Sequence, residues 1–527
     1  MFDIILQNGQ VADGSGAPLK RADVAITRDT IVAVGDLRAA QAGAILDVAG
    51  CVVAPGFVDM HSHADNTLPI LPTADSLVYQ GITTAVVGQC GDSPAPLLPE
   101  TRAAATARRT MDDARFPWER ISTFASFLEL LREMGTSLNT VPLVGQGIVR
   151  EAVMGMSADA PTAEQLARMQ AEVAQAMDEG AVGFSTGLIY APCSYATTEE
   201  IIALTRPVGE RGGLYFSHIR SEGDALLEAL GEAIRIGRET GARVEISHFK
   251  AAGWRNWPKA PQALELIDRA RAEGLDVSAD MYPYLAGSSG LAALLPDWAY
   301  ADGMEAALAR LADQDTRRRM IPDMQESGSF RTGEWDKILI ASSPRQRAYE
   351  GRSVSELAAS AGVDPYTWVF DTLLETGLHI TMITFMMAEE NAELQLRRPW
   401  MMIGTDAFGC ATEGPLSHGK PHPRNYGTFP RVLAHDVRER GVLSLEEAVH
   451  RMTGLPAHKL GWTDRGLLRE GYRADMVVFD PATVVDRATF QKPHQYPAGM
   501  PHVLVNGQFV IRDGAHTGAR PGRVLGR

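Results

Sequence analysis

Eight short apolar segments alternate with amphipathic ones through the middle of this 527-residue chain, and that alternation leaves few folds open. The apolar segments are CVVAPGFVDMHSH, GITTAVVGQC, TVPLVGQGI, GAVGFSTGLIY, GLYFSHIR, ARVEISHFK, DVSADMYPY and WMMIGTDAF. Their near-continuous apolar character suits strands buried on both faces, as in a parallel sheet. Between most of them lie stretches with helical spacing, such as ISTFASFLELLREM, TAEQLARMQAEVAQAMDEG and EGDALLEALGEAIRIGRETG. The last two end in glycine, a common helix stop. Eight strand–helix units predict an α/β chain folded as a (β/α)8 TIM-like barrel, with a doubly wound open sheet as the alternative.

The two ends of the chain resemble each other. ILQNGQVADGSG and VLVNGQFVIRDG each set Asn-Gly between apolar residues, which predicts tight hairpins at Asn8-Gly9 and Asn506-Gly507. GYRADMVVFDPATVV adds a strand ahead of the second. Residues 1–56 and 465–527 are therefore expected to meet in one small discontinuous β-sandwich domain, leaving 57–464 for the barrel. The interval from Tyr282 to Thr405 is far longer than one helix needs. Its polar part, about 287–345, contains TRRRM and QESGSF and is expected to be a lid-like insertion, since long excursions in compact domains tend to be functional.

A formal charge of −15 without runs of like charge weakens any case for a nucleic-acid or anionic membrane partner. The four cysteines have no CxxC spacing, which fits a reduced compartment better than a disulfide scaffold. MFDIILQNGQ has neither a basic start nor a long apolar core, so a cytoplasmic protein acting on a small molecule is expected.

Placed on the eight strands, certain polar residues fall at one end. His61 and His63 follow strand one and, at a spacing of two, share a side. Cys90 ends strand two, His218 strand five, His248 strand six and Asp406 strand eight. In a barrel all of these open onto the C-terminal face, where such enzymes keep their active sites. A lone histidine or cysteine there is usually a packed structural residue, and Asp406 alone could cap a turn. Five strands all ending in such residues are not explained that way. Nitrogen, sulfur and oxygen donors together suit Zn²⁺ best, with Fe, Co or Mn as alternatives.

APGFVDMHSHAD, GQCGDS, YFSHIRSEG, ISHFK and PHPRNYGTFPRVL together resemble the amidohydrolase superfamily, specifically its N-acyl-D-amino-acid deacylase branch. The resemblance runs through nearly the whole chain. It implies a barrel with a β-sandwich and an inserted segment, hydrolysing linear amides of N-acyl-D-amino acids or dipeptides with a C-terminal D-residue. It also implies one tightly held zinc on Cys90, His218 and His248, and a weaker second site completed by His61 and His63. Asp406 is the implied general base and acid. Many relatives bridge two metals with a carboxylated lysine on strand four. Here GFSTGLIY has no lysine, and Cys90 takes that place in this branch.

By the same resemblance Arg424 grips the substrate α-carboxylate, as a guanidinium does in bidentate fashion. Lys250 assists it, and Tyr282, Ser288 and Tyr190 line the pocket. Between Tyr282 and Ala309 there is no lysine or arginine, so a neutral or hydrophobic substrate side chain is expected. The alternatives are a cyclic amidase of the hydantoinase or dihydroorotase kind, and a metal-free scaffold protein. The missing strand-four lysine counts against the first, and the complete ligand set against the second.

Overall fold

In the computed structural model, which describes residues 1–108, 115–326 and 333–526, the eight apolar segments form one parallel sheet in sequential order. The strands are β1 (Phe57–Asp59), β2 (Ile82–Val87), β3 (Asn139–Gly145) and β4 (Gly183–Gly187). They continue as β5 (Leu214–His218), β6 (Arg243–Ile246), β7 (Val277–Met281) and β8 (Met401–Ile403). The sheet closes where Met60 N–H donates to the Ile403 carbonyl at 3.2 Å and Ser62 bridges Ala407 in parallel. Closure excludes the open-sheet alternative.

The helices around the barrel form for local reasons. Ala163–Glu179 starts at Thr162, whose hydroxyl accepts from Gln165 N–H while the Gln165 side chain accepts from Thr162 N–H. It ends at Gly180, whose φ of 122° is open to glycine alone. Its buried Met169, Val173, Ala176 and Met177 lie on one stripe at helical spacing. Leu226–Thr240 ends in the same way at Gly241, which is left-handed.

The chain ends build two sheets around a common core of Leu6, Val24, Ile31, Val53, Met476 and Leu504. Asn506-Gly507 forms the expected hairpin. Both residues have positive φ, as a two-residue turn of type I′ requires, and Val505 faces Gln508 across it. Asn8-Gly9 does not. Asn8 is left-handed but Gly9 is not, so the chain crosses from one sheet to the other. Phe2–Gln7 pairs with Asp23–Thr27 and Ala42–Asp47, whereas Gln10–Val11 pairs with Val52–Pro55. The final residues leave these sheets and run beneath the barrel. Thr140 N–H donates to Arg523 O at 2.9 Å, and Leu525 N–H to Thr140 O at 2.7 Å.

The excursion after β7 extends well past 345. Ala286–Gly290, Ile338–Ser342 and Thr381–Phe385 form an antiparallel sheet with Thr381–Phe385 in the centre. Helices including Met304–Ala312, Val354–Ala361 and Pro365–Thr376 pack on it around Leu311, Ile340, Val369, Phe370 and Met382. This is a packed subdomain with its own core rather than a polar flap. Its later helices have the amphipathic pattern of ordinary barrel crossovers, which hides the boundary from a sequence reading. Positions 327–332, with most of QESGSF, lie outside the described residues.

Candidate metal centre

The C-terminal ends of β1, β2, β5, β6 and β8 bring the sequence candidates together. Cys90 Sγ lies 3.4 Å from His61 Nε2, 3.5 Å from His218 Nδ1 and 3.5 Å from His248 Nε2. Asp406 Oδ1 lies 3.1 Å from His63 Nε2 and 3.6 Å from His61 Nε2. Three overlapping donor sets result: His61, His63 and Cys90; Cys90, His218 and His248; His61, His248 and Asp406. Within each set the donor atoms lie within 4.8 Å of one another.

The residues behind the imidazoles fit a metal site as well as those in front. The second nitrogen of His61 is 3.6 Å from Asp280 Oδ1. Those of His248 and His218 are 3.0 and 3.7 Å from Glu222 Oε1. A carboxylate behind a ring is the setting that metal-ligating histidines use; the approach at His248 is within hydrogen-bond reach, whereas those at His61 and His218 are too long for a hydrogen bond. Burial keeps His218 and His248 neutral, pushing both well below the ordinary imidazole range. Burial, and next the Asp406 carboxylate, push the Cys90 thiol up. A divalent cation among these donors reverses the pressure on the thiol, because a coordinated thiol is deprotonated.

Backbone geometry at these positions is unusual. Cys90, His248 and Asp406 have φ of 53°, 33° and 50°, left-handed values that non-glycine residues rarely adopt. Such conformations persist where surrounding structure over-determines them, and they gather at functional sites. Asp59 supplies part of that support: its carboxylate accepts from Thr405 N–H at 2.7 Å, Thr405 Oγ1 at 2.6 Å and His61 N–H at 3.2 Å. Burial raises its pKa to about 7. Asp280 accepts from His248 N–H at 2.8 Å.

Gly187, at the end of β4, lets the Cys90 peptide approach; a Cβ there would lie 2.1 Å from the Cys90 carbonyl oxygen. Gly187→Ala is expected to cost about 3 kcal/mol, because backbone must move to relieve the overlap. It should also loosen the metal, since Cys90 moves with its peptide. Thermal melting and metal titration of the variant check both effects, and wild-type values in each would refute the account.

The substrate-side candidates are close by. Arg424 Nη1 pairs with Asp406 Oδ2 at 2.7 Å, and its guanidinium stacks 4.9 Å from the Tyr282 ring centre. Burial works against the Asp406 charge, yet Arg424 and the neighbouring imidazoles hold its carboxyl well below the ordinary range. Lys250 Nζ lies 2.5 Å from Glu222 Oε1 and 5.8 Å from the Tyr282 ring centre. Tyr190 packs its ring edge on His218 and meets Ser289 Oγ at 3.3 Å. The Ser288 hydroxyl donates to the Met382 carbonyl at 2.9 Å, so its backbone oxygen, not its hydroxyl, faces Arg424.

Asp59, Asp280 and Glu222 were not among the sequence candidates. The first two carried a readable signal, a carboxylate inside an otherwise apolar strand, which is costly unless paired. Glu222, four positions after His218, carried none that distinguishes it from an acidic residue ahead of a helix.

Residues 44–511 match the model of the amidohydrolase family. The chain is 39% identical to a D-aminoacylase of Alcaligenes xylosoxydans xylosoxydans, covering 100% of this chain and 98% of that one. It is also 39% identical to an N-acyl-D-glutamate deacylase of the same organism, covering 100% of this chain and 97% of the relative. A solved N-acyl-D-glutamate deacylase from Bordetella bronchiseptica, complexed with zinc and a phosphonate mimic of the tetrahedral intermediate, superposes with a TM-score of 0.85. It is 34% identical, and the match covers 100% of both chains.

Proposed function

The chain belongs to the amidohydrolase family, and from that premise we propose that it is a zinc-dependent deacylase of N-acyl-D-amino acids with neutral or hydrophobic side chains. The observation that carries this reading is the convergence of three forward imidazole nitrogens on Cys90 Sγ, each ring backed by a carboxylate. Cys90, His218 and His248 would hold the tight zinc. His61, His63 and Asp406 would complete a weaker second site beside the same thiolate.

When bound, such an ion supplies Lewis acidity, which lowers the pKa of a water toward about 7 and polarises a carbonyl. The chain's own residues do the rest. Arg424 grips the substrate α-carboxylate, with Lys250 as a second cation beside the Tyr282 ring. In doing so the guanidinium gives up its contact with Asp406 Oδ2. Asp406 takes the proton of the attacking water and passes it to the leaving amine nitrogen. Tyr190 and Tyr282 wall the site and keep bulk water out.

Identity alone does not choose the side chain, because a D-aminoacylase and an N-acyl-D-glutamate deacylase are equally similar. The preference rests on charge placement. No lysine or arginine occurs from Tyr282 to Ala309, and the next, Arg310, is engaged by the Ala299 and Ala301 carbonyls and by Asp302. A buried side-chain carboxylate left unpaired costs enough to slow its substrate by at least about 10²-fold.

Zinc-loaded protein given racemic N-acetylmethionine should therefore release D-methionine alone. N-acetyl-D-glutamate should be turned over at least about 10²-fold more slowly in kcat/KM. Release of L-methionine, or turnover of hydantoins in place of linear amides, would overturn the assignment. Faster turnover of the D-glutamate substrate would overturn the side-chain preference alone.

A further inference from the structure

Glu222 belongs to neither the ligand set nor the proton route, yet it faces both imidazoles of the tight trio. Its Oε1 lies 3.0 Å from His248 Nδ1 and 3.7 Å from His218 Nε2. The opposite ring nitrogens, His248 Nε2 and His218 Nδ1, are the two that lie 3.5 Å from Cys90 Sγ. One buried carboxylate thus stands behind two ligands that come from different strands.

A second group competes for the same place. Lys250 Nζ is 2.9 Å from His248 Nδ1 and 2.5 Å from Glu222 Oε1. An ammonium only donates and a carboxylate only accepts, so the two make opposite demands on that nitrogen. A bond from Lys250 needs the lone pair on Nδ1. It places the ring proton on Nε2, facing Cys90, where it blocks a ligand position. A bond from Nδ1–H to Glu222 keeps the proton at the back and the Nε2 lone pair forward.

We propose that Glu222 is the positioning residue that decides this contest: it takes the Nδ1–H of His248 and draws the Lys250 ammonium onto itself. The proposal rests on the metal-dependent reading above and deepens it. It makes the substrate-side cation and the metal ligand share one anchor, so that neither can be altered without the other. The apposition of one carboxylate, two imidazoles and one ammonium is a property of the folded chain, because Glu222 and Lys250 lie on loops after different strands.

Zinc affinity by chelator competition, with the Co²⁺ absorption spectrum as a second readout, tests this on the full chain. Glu222→Gln should weaken zinc about 10- to 100-fold, the usual loss when the partner behind a ligand is removed. Its amide no longer enforces acceptance and no longer holds the ammonium. The Glu222→Gln/Lys250→Met double variant removes the competing donor and both buried charges, and should recover most of that affinity. Metal-free melting curves identify any variant that fails to fold, and the double variant, with no unpaired buried charge, stays interpretable. Wild-type zinc affinity in Glu222→Gln would overturn the proposal, as would a double variant no tighter than the single one. Absence of zinc from the wild-type chain would overturn the parent reading itself.

Discussion

Cys90→Ala is expected to weaken the tight zinc by at least ~10³-fold, and hydrolysis should fall with it. The floor comes from comparison: losing a partner behind a ligand already costs about 10- to 100-fold, and here the ligand itself is removed. Cys90 Sγ lies within 3.5 Å of nitrogens on His61, His218 and His248, and alanine puts no donor atom in its place. What remains around the void includes His218 and His248, which burial keeps uncharged. The fold should survive, because the barrel strands on either side are held by their own ladders. Metal content per chain and kcat on N-acetyl-D-methionine check this together. Full zinc occupancy with wild-type turnover would show that Cys90 is packing and nothing more.

Asp406→Asn should separate proton transfer from metal binding. General acid–base catalysis contributes about 10²- to 10⁴-fold, and an amide cannot take a proton at neutral pH, so kcat is expected to drop by that amount. The tight zinc should stay, because Asp406 lies outside the Cys90, His218 and His248 set. KM should not rise. In the resting structure Arg424 is held by Asp406 at 2.7 Å, so the variant frees the guanidinium from a competitor for the substrate carboxylate. A kcat within tenfold of wild type would remove Asp406 from the proton route. Loss of the tight zinc would make it a ligand of the first site instead.

Particular elements show how far the sequence reaches. Asn506-Gly507 and Asn8-Gly9 are the same dipeptide in similar apolar settings, yet only the former makes a hairpin. The difference lies in whether Gly adopts positive φ, which the surrounding sheets decide. The insertion was legible in its existence but not in its extent. The central strand of its sheet, Thr381–Phe385, pairs with segments about 40 and 90 residues earlier, and strand pairing leaves no local mark.

The site divides in the same way. His61, His63, Cys90, His218, His248 and Asp406 could be put forward as candidates from sequence because strand periodicity and donor chemistry are local properties, and a parallel barrel sends every strand end to one face. Tertiary structure alone chose what stands behind them. Asp59 reaches Thr405 across 346 positions, and Asp280 reaches His248 across 32. Glu222 meets Lys250 across 28. Those contacts depend on barrel closure and on left-handed turns at Cys90, His248 and Asp406, which aim side chains in ways no spacing rule encodes. The residues that supply the donor atoms are written in the chain. The carboxylates that stand behind those atoms reach them only when the strands close.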